Sequence, residues 1–515
     1  SAWRATRWET AAVAAGGVCY AVSFAPLDLG FPVVVALLPL AWVWRAARPL
    51  RAAWLGFIAG CAAFLPMLWW SSRFGLLAWI AWSAASAASW ATAGAAVGWC
   101  RRLGLRGPWV IPTVWALVEM GRERWPFGGS PWGEVGTALH AFAPARSLAA
   151  VVGLSGLGFL VVAVDAWCVE AWVRRHRPSG RGWREWAARR GGVVVVVGML
   201  ALAAAAAATR PALGETGSLR VAMIQGNDKN RDLTVDEVDG RLLERTHLEL
   251  AGTIRGPVDL VVFPESAFDV DPRTDRQLGS ALRSLAVRLE APLVVNAQVA
   301  VPGREEDDVL HNTNFFVRAD GSVAPRSYAK VKVVPFGEYV PFRWLLQPIV
   351  PALDQIPRDF LRGDGRVQFD VQGHAIGTLI CFEVGFPTIA RNYAREGAEL
   401  LVVTTNNRSF GRSPNARQQL AAGQMRAAES GRYLLQAGIS GITAVIDERG
   451  RVLRQTELFE RTVVEATVPT FRGRTTYVTL GDWLPLGSAA ALCGAALWRL
   501  LRRRICRPGA VAVAR

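Results

Sequence analysis

Glu265, Lys330 and Cys381 are the residues whose types and positions suggest joint chemistry. Each stands at, or just beyond, the end of an apolar run. Glu265 follows Leu260-Val261-Val262-Phe263-Pro264, and Cys381 follows Ile376-Gly377-Thr378-Leu379-Ile380. Lys330 follows Tyr328-Ala329 and precedes Val331-Lys332-Val333-Val334-Pro335-Phe336-Gly337-Glu338. Singly, each has a plain reading: a buried Cys is a small hydrophobe, and a lone Glu or Lys is a solvated charge. Together they fit acyl transfer. A thiol attacks a carbonyl as thiolate and needs a base or cation nearby. The five histidines (140, 176, 247, 311, 374) are scattered, so none is an obvious base. A carboxylate at Glu265, sheltered by Phe263 and Pro264, is suited to take the thiol proton. The ammonium of Lys330 would stabilise the thiolate and then an oxyanion, with the backbone N–H of Phe382 as a second donor.

Reactive groups of α/β sheets collect beyond the carboxyl ends of strands. The segments 221–224, 260–263, 293–295, 376–380 and 400–403 read as buried strands. The stretches 235–254, 274–289, 386–397 and 415–432 have helical spacing between them. The alternation predicts α/β layers, with an antiparallel addition from strands near 441–446 and 463–468. Cys381 is the only cysteine of this region, which excludes an internal disulfide there. The sequence has no C-x-x-C or Cys/His cluster for a metal.

The rest of the chain is different in kind. Of 515 residues 51% are hydrophobic and only 19% charged, and the apolar runs crowd the first two fifths and the C-terminus. A spanning helix needs about 20 mostly apolar residues. Eight candidates lie near 9–26, 31–47, 53–71, 74–99, 107–121, 147–173, 191–209 and 479–501. Small residues inside them, as in Ala84-Ala85-Ser86-Ala87-Ala88, suit close packing in lipid. The expected organisation is a seven-span bundle (1–214), a catalytic domain (215–472), and a last span with a basic tail (473–515).

The formal charge is +16. Its arginines cluster beside the apolar segments, which argues for membrane topology rather than nucleic acid. Arg4, Arg7, Arg45, Arg48, Arg51, Arg101, Arg102, Arg106, the run from Arg174 to Arg190, and Arg502–Arg504 fall on one side of the spans. The positive-inside rule then places both termini in the cytoplasm and the catalytic domain outside it. No cleavable leader is evident, so the first apolar segment is expected to stay as an anchor. The stretch from Val340 to Pro351 is aromatic, apolar and too short to span. Phe342, Trp344 and Leu345 are expected to dip into the lipid interface, the alternative being a covered core loop.

The motifs Phe263-Pro264-Glu265-Ser266-Ala267, Lys330 with Pro335-Phe336-Gly337-Glu338-Tyr339-Val340-Pro341, and Ile380-Cys381-Phe382-Glu383 resemble those of the nitrilase, or carbon–nitrogen hydrolase, superfamily. With helices on both sides, nearly the whole chain is similar to its membrane-bound apolipoprotein N-acyltransferase family. The resemblance implies an αββα sandwich on eight helices and a ping-pong reaction. A membrane phospholipid would acylate Cys381 as a thioester. The acceptor would be the α-amino group of the S-diacylglyceryl-cysteine of an apolipoprotein. The resemblance makes Glu265 the base, Lys330 the oxyanion stabiliser, and Glu338, Phe382 and Glu383 supporting residues. Asn406 joins the arm residues as a possible substrate contact, and no cofactor or metal is implied. Arg426, Glu429 and Arg432 match a family segment; their plain reading is surface ion pairs. Phe382 stands where relatives often have Tyr, and Ser409 where they often have Trp. No Trp follows Gln225-Gly226-Asn227, where some relatives have one. The competing readings are a membrane-tethered amidase using the same residues, and a transporter or scaffold. A transporter should carry charges in its spans, and Glu119 and Asp165 are among few.

Overall fold

The computed structural model describes residues 6–176, 213–227, 241–301, 303–348, 350, 353–354 and 356–505, with isolated positions between 197 and 238. Helices come first. They run Arg7–Ala21, Val33–Ala36, Leu38–Trp44, Pro49–Met67, Leu76–Arg102, Val110–Arg122 and Ala143–His176, and Trp483–Ile505 closes the described chain. Among the described residues three helices are long and apolar enough to cross a membrane: Pro49–Met67, Ala143–His176 and Trp483–Leu501. The expected span at 31–47 is two short helices, the second with Pro39 in its first turn, where the missing N–H costs nothing. Most of the expected span at 191–209 lies outside the described residues. Small residues bring helices together as expected. A Cβ at Gly60 would stand 2.7 Å from the Cα of Ala87, a distance only glycine tolerates.

Among the described residues, twelve strands form two six-stranded sheets. One has the order β12-β1-β2-β3-β4-β5. Its strands are β1 (Gly214–Gln225), β2 (Leu260–Val262), β3 (Leu293–Ala300), β4 (Leu310–Val317), β5 (Tyr328–Ala329) and β12 (Thr462–Arg472). The other has the order β11-β10-β9-β8-β7-β6, built from β6 (Gln368–Val371), β7 (His374–Ile380), β8 (Leu400–Thr405), β9 (Tyr433–Gly438), β10 (Ala444–Ile446) and β11 (Val452–Gln455). The central pairs β1–β2–β3 and β7–β8–β9 are parallel, and the flanking pairs are antiparallel. The antiparallel addition expected from 441–446 and 463–468 is present as β10 and β12.

Side chains alternate across a strand, and that alternation makes the layers. Leu219, Val221, Met223, Leu260, Val262 and Val294 face the second sheet. Ala222, Ile224, Val261, Phe263, Leu293 and Val295 face a separate core with the helices Leu242–Ala251 and Arg276–Leu289. Between the sheets, Asn314 donates to Thr378 at 2.7 Å and accepts from Thr404 at 3.0 Å. These bonds satisfy polar groups that would otherwise be stranded in the core.

The second sheet's outer helix, Asn415–Ser430, is buried over nearly its whole length, because it packs against the bundle. Here the surface reading of Arg426, Glu429 and Arg432 is overturned. All are at most 2% exposed, with Arg426 and Glu429 paired at 2.9 Å. The helix Ala143–His176 breaks at Gly153 (φ 72°), a left-handed conformation that favours glycine. Glu429 accepts the Leu154 N–H beyond the break at 2.6 Å, giving that amide the partner its own helix lacks.

Candidate active site

Each of the three predicted residues leaves a strand at one rim of the sandwich: Glu265 after β2, Lys330 after β5 and Cys381 after β7. The backbone turns sharply at two of these exits. Ser266 and Cys381 have φ of 57° and 52°, a region that side chains with a Cβ rarely adopt and that gathers at functional sites. The Ser266 turn is held by its N–H donating to Asn296 Oδ1 at 2.8 Å.

The structure brings the three together. Lys330, 1% exposed, donates through Nζ to Glu338 Oε1 at 2.7 Å and to Glu265 Oε1 at 3.4 Å. Burial alone would lower the lysine's pKa. The charges of Glu338 and Glu265 outweigh it and hold the group well above its usual range, so it stays an ammonium. Glu265 accepts the Asn406 N–H at 2.8 Å, and the Asn406 carbonyl lies 4.0 Å from Cys381 Sγ. Asn406 thus stands between the Glu265 carboxylate and the Cys381 thiol through its backbone. Burial pushes the Cys381 thiol up to about 12. The Glu265 charge adds to the rise and Lys330 opposes it. The resting group is therefore the neutral thiol.

Glu383 works from beneath. It is fully buried and accepts from Tyr328 Oη at 2.7 Å, from the N–H of Val331 and Lys332 at 2.7 and 3.0 Å, and from the N–H of Ile380 at 2.8 Å. One carboxylate ties the lysine loop to the residue before Cys381. Burial raises it to about 6 despite those donors. Glu338 holds its own loop by accepting the Val334 N–H at 2.7 Å.

Two contributors escaped the sequence reading. Asn312, on β4, donates to Glu265 Oε1 at 2.7 Å and Glu338 Oε1 at 3.2 Å. It spaces the carboxylates on either side of Lys330. Its only signal was polar residues at alternating positions, Asn312 and Asn314, in a stretch with no apolar run before Phe315. The second is Trp132, from the bundle. Its ring stacks on Phe382 with centroids 6.0 Å apart and planes at 11°. Gln418 accepts from Trp132 and Trp70 at 2.6 and 2.9 Å and donates to the carbonyls of Ala25 and Met67. The bundle therefore supplies a wall beside Cys381. Phe342, Trp344 and Leu345 are exposed, Trp344 by 79%, which overturns the core-loop alternative for the arm.

A carbon–nitrogen hydrolase family model matches residues 220–476, so the sandwich is a carbon–nitrogen hydrolase domain. A model of the apolipoprotein N-acyltransferase N-terminal domain matches residues 16–167. The apolipoprotein N-acyltransferase of Geobacter metallireducens is 31% identical over 507 residues, 94% of each chain. That of Nitrosomonas europaea is 31% identical over 486 residues, 91% of this chain and 93% of the other. The chain belongs to the apolipoprotein N-acyltransferase family. Among solved structures, Saccharomyces cerevisiae Nit3, a nitrilase-superfamily member, aligns with TM-score 0.38 and 17% identity. The alignment covers 50% of this chain and 91% of Nit3.

Proposed function

We propose that the protein moves an acyl chain from a membrane phospholipid to the α-amino group of a diacylglyceryl-modified apolipoprotein, through a thioester on Cys381. Glu265 takes the thiol proton as sulfur attacks the ester carbonyl. The Lys330 ammonium and the Phe382 N–H hold the resulting oxyanion. Collapse breaks the ester C–O bond, the lysophospholipid leaves with the proton from Glu265, and the acyl group stays on sulfur. The α-amine then attacks the thioester and yields its proton to Glu265. The C–S bond breaks and the thiol is restored. Glu338, Asn312 and Glu383 hold the three groups in place.

The observation that carries the reading is the stacking of Trp132 on Phe382, which sets the nucleophile against the bundle. A tethered amidase acting on a small soluble substrate has no use for that wall, and the similarity to N-acyltransferases extends through the helices. The test uses purified full-length protein in detergent with phospholipid and an S-diacylglyceryl peptide. We expect N-acyl peptide and lysophospholipid in equal amounts. Hydrolysis of amides with the peptide unchanged would favour the amidase.

Eight spans, with residues 215–472 on the extracytoplasmic face, complete the proposal. The arginine distribution supports it. A membrane-impermeant thiol reagent should label an Arg318→Cys protein in intact spheroplasts; protection until lysis would reverse the orientation. The exposed arm is proposed to enter lipid. Replacing Phe342, Trp344 and Leu345 together by Ser should weaken turnover of phospholipid in vesicles about tenfold or more, because each buried side chain contributes about 1.5–3 kcal/mol of transfer free energy. Thermal unfolding should be unchanged. A large drop in melting temperature would show that these side chains belong to the fold instead.

A further inference from the structure

The rim where the bundle meets the catalytic loops carries positive charges that the acyl-transfer steps leave unused. Lys229, Lys330 and Lys332 are the only lysines in this arginine-rich sequence, and Lys332 lies at that rim. Its backbone N–H and that of Ile380, the residue before Cys381, share the Glu383 carboxylate. The Lys332 ammonium reaches the bundle, donating to the Gly128 carbonyl at 2.6 Å and lying 4.7 Å above the Phe386 ring. Arg362 sits on a segment fastened to the site. The next residue, Gly363, donates its N–H to the Lys330 carbonyl, and Phe360 donates to the Glu338 carbonyl, both at 2.8 Å. Arg362 is exposed and makes no ion pair among the described residues. Arg124 approaches from the bundle loop, half exposed, with Glu123 at 3.4 Å.

These cations act on one another. Lys332 is held below its usual range, first by burial and then by Arg362 and Arg124, with Glu123 and Glu383 pulling the other way. Glu383 is already taken up by its hydrogen-bond donors, and Glu123 is buried. The rim therefore carries a surplus of positive charge. Exposed aromatics flank it. Phe127 packs on Phe336 and Phe342 at 6.3 and 6.0 Å, and Trp125 is 78% exposed. Aromatic rings of this kind settle at the headgroup level of a bilayer.

We propose that Lys332, Arg362 and Arg124 form a phosphate subsite that holds the phosphodiester of the donor glycerophospholipid while its acyl ester meets Cys381. The inference rests on the acyl-transfer reading and deepens it. In a glycerophospholipid the phosphate and the acyl carbonyl are separated by little more than the glycerol carbons, and here one carboxylate joins the backbone under Lys332 to that under the nucleophile. Ammonium and guanidinium groups suit a phosphate oxygen. A single negative charge reduces the rim's surplus.

The experiment compares wild type with Lys332→Met, Arg362→Gln and the double variant, as full-length protein in neutral detergent. Two acyl donors are used: phosphatidylethanolamine and the uncharged p-nitrophenyl butyrate. The double variant should lose about tenfold to a hundredfold in the rate of cysteine acylation by phosphatidylethanolamine at low lipid, the scale of charge-assisted hydrogen bonds. Its KM should rise, while acylation by p-nitrophenyl butyrate is unchanged. Lys332→Arg should restore most of the loss. Equal loss with both donors would overturn the subsite, because it would mean damage to the Lys330 loop. So would unchanged lipid kinetics, or loss confined to transfer onto the peptide. Glycerophosphoethanolamine should slow the lipid reaction of wild type more than inorganic phosphate at equal concentration; equal competition would mean a general anion site and overturn the lipid assignment. If wild type itself takes no acyl group from phospholipid, the underlying acyl-transfer reading fails instead.

Discussion

Cys381→Ala protein should fold, insert and bind lipid, yet transfer no acyl chain. The thiol's polar contacts among the described residues are weak, with the Asn406 carbonyl at 4.0 Å and with the Thr405 side chain, so its removal leaves the neighbouring network largely intact. Glu265 keeps Asn312, Lys330 and the Asn406 N–H as partners. Stability should therefore change little, while N-acylation falls by a factor on the order of 10⁶, the scale seen when a covalent nucleophile is removed. Mass analysis of the acceptor peptide reads the loss, and thermal unfolding reads the fold. A Cys381→Ala enzyme that still acylates the peptide within tenfold of wild type would end the thioester account.

Glu265→Gln should be nearly as severe for a different reason. Glutamine keeps the shape, and Lys330 keeps Glu338 at 2.7 Å, so the ammonium is not stranded. What disappears is the proposed base. Acylation of Cys381 by phospholipid should slow by about 10²–10⁴, the usual worth of general base catalysis. A second readout separates this from misfolding. The Glu265 charge raises the Cys381 thiol, so removing that charge should lower the thiol's pKa and leave iodoacetamide alkylation at pH 8 equal or faster. Parallel loss of acylation and alkylation would indicate a distorted site, and retention of both would assign the base elsewhere.

The difference between these predicted defects reflects how the site is built, and how much of it could be read in advance. Glu265, Lys330 and Cys381 each end an apolar run, and a run ending in a polar residue marks a strand delivering it to the sheet rim. That local signal sufficed for the central strands, whereas Glu338 and Glu383 were reached only through the resemblance of the motifs that contain them. Asn312 had no such signal. Its role depends on the pairing of β3 with β4, which sets Asn296 opposite Asn314 and lets Asn296 donate to Asn312 at 2.8 Å. Register is a tertiary property that a single strand does not announce. Trp132 and Gln418 are 286 residues apart, and only the docking of the outer helix on the bundle joins them. The same docking buries Arg426 and Glu429, whose spacing alone suggests an exposed ion pair. In the bundle, small residues predicted close helix packing. The break at Gly153 escaped, because its surrounding residues are as apolar as those of an unbroken helix.

The central claim is a covalent acyl-enzyme formed without the acceptor. Its most direct test is the intact mass of purified wild-type protein after incubation with phospholipid alone. The account predicts a gain of one acyl group per chain, located on Cys381, released by neutral hydroxylamine as a thioester should be, and lost with concurrent N-acylation when diacylglyceryl peptide is added. An unchanged mass in a preparation that goes on to acylate the peptide, or an adduct on any other residue, would contradict it.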